Sequence, residues 1–127
     1  MELTYDSQRD RRANLQTIVN PTWAEVEQAI RRLDAALHTE VVLIGAGHLS
    51  VGGGGGQYFV SIFTDDERSL VLVDSSKPEG ETTYLVSAGQ KVALRAREVT
   101  DIALALKAAR TFHARGTADD ALVWEEE

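Results

Sequence analysis

The chain has 127 residues, 43% hydrophobic and 26% charged, which predicts a single domain over 1-127 with enough apolar material for one core. Thirteen Lys and Arg against twenty Asp and Glu give a formal net charge of -7, a sign that repels phosphate backbones and anionic lipid and argues against nucleic acid or a membrane as direct partner. The absence of cysteine removes disulfides and zinc-thiolate sites, and the charged opening MELTYDSQRDRR lacks the apolar run of a secretory signal, so a cytoplasmic location is expected.

In chain order, a short strand is expected over 3–6, followed by an irregular connection over 8–14. That connection carries Arg9, Arg11 and Arg12, a basic surface cluster partly neutralised by Asp6 and Asp10. NPTWAEVEQAIRRLDAAL, residues 20–37, gives a strong helix signal. Pro21 stands at its start, Thr22 to Glu25 match a capping box, and Trp23, Val26, Ile30, Leu33 and Leu37 form one stripe. Glu27 and Arg31 pair four apart on its wet side. From residue 41 to about 97 the apolar runs shorten to strand length: 41–45, 48–52, 57–63, 69–74, 82–87 and 91–96. The short turns between them make neighbouring strands antiparallel. A second helix over 100–114 has Thr100 as N-cap, Asp101 in its first turn and Gly116 beyond its end. Ile102, Ala105, Leu106, Ala109 and Phe112 are expected to face the sheet. A closing strand, ALVWEE, brings Trp124 into the sheet or core. The class is α+β: an antiparallel sheet of about five to seven strands with two main helices packed on it.

VVLIGAGHLSVGGGGG, residues 41–56, imitates a dinucleotide fingerprint, since a strand runs into Gly45 and Gly47 and Asp65 follows twenty residues later. The fingerprint then needs a helix, but five glycines disfavour one by about 1 kcal/mol each. The strand QYFVSIF follows too closely for a crossover, so the stretch reads as a hairpin. No Lys-Ser or Lys-Thr pair completes a P-loop, and one residue too many stands before Ser50 for a serine-hydrolase elbow. His38 and His113 fall in the last turns of the helices, where imidazole complements the dipole. His48 lies beside the glycines without a carboxylate at metal-ligand spacing. Asp65, Asp66 and Glu67 form a solvated hairpin tip, because consecutive turn residues do not face each other across a scissile bond. No catalytic residue, metal ligand or cofactor is assigned. The alternative is a small-molecule or nucleotide-binding domain using the glycine loop and His48.

The order of PTWAEVEQAIRRLD, the glycine hairpin, VSAGQ, a helix ending TFHARG and a closing LVW resembles the first-numbered family of immunity proteins of bacterial polymorphic toxin systems. The likeness rests on Trp23, Gly52, Gly53, Tyr58, Gly89, Phe112, Gly116 and Trp124, all structural residues. It implies a non-enzymatic protein that binds a cognate toxin, often a nucleic-acid-directed deaminase, and blocks its active site. The acidic balance suits a basic toxin domain as partner. On that reading Asp65, Asp66 and Glu67, the loop glycines Gly54 and Gly55, and the tail residues Glu125 and Glu126 are the expected toxin contacts.

Overall fold

The computed structural model describes residues 1–9 and 12–127. Asp10 and Arg11 of the basic cluster lie outside the described residues. The elements are β1 (Glu2–Arg9), β2 (Arg12–Val19), α1 (Trp23–Arg31), β3 (Glu40–Ile44), β4 (His48–Gly54), β5 (Gln57–Phe63), β6 (Ser69–Leu72), β7 (Thr82–Ser87), β8 (Gln90–Arg95), α2 (Ile102–Arg115) and β9 (Trp124–Glu126). Seven strands form one antiparallel sheet in the order β2-β1-β3-β4-β5-β6-β9, and β7 and β8 pair separately as a hairpin. The expected class, α+β with two helices on an antiparallel sheet, is what forms.

Alternation along the strands sorts the layers. Leu3, Val41, Leu43, Leu49, Val51, Val60, Ile62 and Leu72 point to one face and are buried against Val26 and Ile30 of α1 and Ala105, Ala109 and Phe112 of α2. On the other face a smaller cluster joins Leu85, Leu94 and Val99 to Phe59, so the β7–β8 hairpin covers part of the sheet there. Gly52 makes that approach possible: a Cβ on it would stand 2.3 Å from the Ser87 hydroxyl oxygen. The hairpin between β4 and β5 turns on Gly55 and Gly56 alone, both with positive φ, while Gly52 to Gly54 belong to β4 itself. The glycine run is therefore mostly strand, and no helix N-terminus follows it to hold a pyrophosphate.

Several sequence expectations shift. The 8–14 connection is the end of β1 and the start of β2, a full-length hairpin paired from Glu2↔Val19 to Arg9↔Arg12. Its signal is weak because β2 is exposed along nearly its whole length, so no buried face imposes alternation. α1 has the expected capping box on Thr22 and Glu25 and the Glu27–Arg31 pair at 3.0 Å. It stops at Arg31, well short of residue 37. Asp34 stops it: its Oδ1 accepts the N–H groups of Ala36, Leu37 and His38 at 3.0, 2.9 and 2.9 Å, replacing helical bonds. Leu37 is exposed in consequence. The N-cap of α2 is Asp101, whose carboxylate accepts the Leu104 N–H at 2.9 Å, and Thr100 instead bridges to Tyr58 in both directions. The last strand is shorter than ALVWEE, because a turn around Asp119 takes up residues 119–122.

Candidate functional site

A groove of about 670 Å³ lies at the β9 edge of the sheet, between the β5–β6 turn and the chain leaving α2. Its floor is apolar: Ile62 from β5, Leu70 from β6, Trp124 from β9 and Ala118. Its rim carries four acids, Asp65 and Asp66 on the β5–β6 turn, Asp120 beyond α2 and Glu126 on β9, against one cation, Arg68.

Each rim group is placed by local bonding. Thr64 closes the β5–β6 turn, its N–H donating to the Arg68 carbonyl at 2.8 Å and its hydroxyl accepting the Arg68 N–H at 2.9 Å. The same hydroxyl donates to Asp66. Arg68 reaches across to Glu126 at 2.7 Å, tying the turn to β9. On the other wall Asp119 accepts the Ala121 N–H at 2.9 Å and the Thr111 hydroxyl at 2.8 Å, bonds that hold its carboxyl below the ordinary range. The Asp119 carbonyl accepts the Trp124 indole N–H at 3.1 Å, fixing the ring beside the groove. Asp120, next along, is exposed. Among the described residues Glu126 pairs with Arg68 and Glu125 with Arg95 and Arg97, whereas Asp65, Asp66, Glu67 and Asp120 take no basic partner. An apolar floor under unpaired carboxylates suits an ammonium or guanidinium on an alkyl stem, the stem lying along Trp124.

The structure brings Asp65, Asp66 and Glu126 together at this groove. Glu67 stays on the same turn, exposed and with φ 65°. Gly54 and Gly55 lie at the opposite end of β5, about 20 Å away along a seven-residue strand. Gly54 also packs there, a Cβ on it meeting the Asp34 nitrogen at 2.6 Å. Glu125 points to the other face of β9, where Arg95 and Arg97 bind it. Asp120 escaped the sequence reading, although the acid pair in TADDALVW was its signal.

A second polar cluster is internal. Asp6, expected beside the arginines, is buried instead and accepts the Thr39 and Glu40 N–H groups at 2.6 and 2.9 Å, the Thr39 hydroxyl, and the Gln8 amide at 2.9 Å. Burial alone would raise its carboxyl, but these bonds outweigh it and hold it below the ordinary value. Thr39 passes the link on by accepting the Gly89 N–H at 2.9 Å, which fastens the tip of the β7–β8 hairpin. Neighbouring Glu40 is pushed up by burial and by the Asp6 charge, against a hydrogen bond from Ser87. All of these Asp6 bonds go to this chain's own backbone and side chains, which makes it a clamp and leaves no acceptor aimed outward.

The histidines also serve the fold. His38 bonds the Asp6 carbonyl through Nδ1 at 2.9 Å, and His113 bonds the Pro21 carbonyl at 2.7 Å, so neither caps its own helix as expected. His48 stacks on Phe63 with centroids 5.6 Å apart. Among the described residues no three His, Asp or Glu side chains gather as a metal site, and no helix is long and apolar enough to cross a membrane.

Residues 16–126 match the family described as immunity protein Imm1. No curated protein matches the chain.

Proposed function

Because the chain belongs to the Imm1 family of immunity proteins, we propose that it binds a cognate bacterial toxin of a polymorphic toxin system and neutralises it by covering the toxin's active site. The target class we favour is a basic, nucleic-acid-directed deaminase. The observation that carries this reading is the groove at the β9 edge, where Asp65, Asp66, Asp120 and Glu126 surround an apolar floor. A toxin that grips nucleic acid carries Lys and Arg around its catalytic cleft, and those side chains are what such a groove can receive. The protein acts by occupancy in the cytoplasm of the producing cell, without turnover. Glu67 extends the contact along the same turn, while Gly54, Gly55 and Glu125 would be reached only by a partner that wraps beyond the groove.

The test is coexpression with the toxin domain encoded beside this chain, expected to restore growth. Replacing Asp65, Asp66 and Asp120 by lysine is expected to lower toxin affinity at least 100-fold, with association slowed and its dependence on salt flattened. Unchanged affinity and unchanged salt dependence would remove the groove from the interface. Absence of rescue by the unaltered chain would overturn the function.

A further inference from the structure

The two edges of the sheet are built differently. β9 has three residues, two of them glutamates. β2 has eight, RANLQTIV, whose only charge is Arg12 and which contains no proline. The usual protections of an exposed edge, shortness and charge, are thus present at β9 and missing at β2.

The β2 edge has a definite pattern. The Asn20 N–H donates to the Met1 carbonyl at 2.8 Å, so Ile18, Gln16 and Asn14 turn their main chain toward β1. Leu15, Thr17 and Val19 therefore present unpaired N–H and C=O groups outward. Their side chains stand on the face away from Ile18, which packs on the main core. Leu15 and Val19 are 68% and 66% exposed, above every other large apolar side chain among the described residues.

We infer that β2 is a self-association edge, pairing antiparallel with β2 of a second copy of this chain about a two-fold axis at Thr17. In that register Thr17 faces its symmetry mate and Leu15 of each copy faces Val19 of the other. The outward main-chain groups are satisfied, and the two exposed apolar side chains cover each other on one face. Charge selects the occupant. Arg9 and Arg12 end the β1–β2 hairpin, the basic end of a chain with net charge -7. Antiparallel pairing directs that end of each copy toward the end of the other that carries Glu2 and the first turn of α1 with Glu25. A basic toxin would be repelled by the same arginines, an argument that rests on the proposed function. The strand order places the acidic groove at the far edge, so the pairing leaves both grooves open.

Light scattering on the isolated full chain over a dilution series is expected to give twice the chain mass. Leu15→Lys combined with Val19→Lys is expected to halve it without loss of circular dichroism. Thr17→Cys, in a chain that has no other thiol, should crosslink into a covalent dimer, because facing residues in such a ladder lie about 5.5 Å apart between Cα atoms. Tyr84→Cys, exposed on the β7–β8 hairpin, should remain monomeric under denaturing conditions. A monomer mass at every concentration overturns the proposal. So does a dimer that survives both lysines and crosslinks no better through Thr17→Cys than through Tyr84→Cys. No toxin enters these measurements, so their failure leaves the groove reading standing, and failed rescue of a toxin leaves this one standing.

Discussion

Asp6 and Glu40 lie in one cluster and respond to pH with opposite sign. The Asp6 carboxyl sits below its ordinary value of 3.8, so its contribution is complete above that pH and is lost as pH falls through the lower folded value. Glu40 sits above its ordinary 4.5, so the folded state binds its proton more tightly than the unfolded chain, and stability declines as pH rises through that window. Asp6→Asn is expected to cost about 2 kcal/mol at neutral pH, because it sets an amide against the Thr39 and Glu40 N–H donors. Glu40→Gln is expected to stabilise at neutral pH and to lose that advantage in acid. Urea denaturation of both variants between pH 3 and 7, a range taken from these carboxylate values, checks the two signs. None of this was legible in the sequence, where Asp6 stood nearest to arginines. Apart from Gln8, its actual partners are more than thirty residues away and are chosen by β1 pairing with β3. The acids of the groove were half legible: Asp65 and Asp66 announce themselves in a turn, while Asp120 gains its meaning only when α2 and β9 meet.

Elements with a buried stripe and local punctuation could be read from the chain alone. The Thr22 and Glu25 capping box placed the start of α1, and Gly116 placed the end of α2. Ends decided by a side chain acting on its own backbone could not: nothing in the 3.6-residue period of RRLDAAL shows Asp34 taking three N–H groups. β2 carries no such stripe, because an edge strand has little to bury. The β7 and β8 segments carry strand-length apolar runs, but nothing in them shows that they pair apart from the main sheet and lie over it at Gly52, where the absent side chain admits Ser87. Gly52→Ala is therefore expected to lift the hairpin, costing about 2 kcal/mol and exposing its amides to hydrogen exchange. Adding Ser87→Gly should restore much of that loss, since the Ser87 hydroxyl and Cβ are what the new methyl meets. Equal destabilisation with and without the second change would mean that the backbone of β4, and not Ser87, resists the methyl.

At the scale of the molecule, composition indicates an acidic chain and apolar periodicity an α+β one, but neither shows where the charge collects. Arg68 with Glu126 and Arg95 with Glu125 tie β9 to its neighbours, and Asp65, Asp66, Glu67 and Asp120, which take no basic partner among the described residues, lie at that edge, across the sheet from β1 and β2. Trp124 sits in the floor of that acidic groove, its indole anchored to Asp119. The chain has one other tryptophan, Trp23, which lies against Arg110 and His113 on the helices. The protein thus contains its own optical reporter. With Trp23→Phe, all of this chain's remaining indole emission comes from the groove floor, and a basic partner seated there should shift or quench it saturably. An emission spectrum unchanged at saturating partner would place the contact elsewhere, and the measurement needs neither a label nor a structure of the complex.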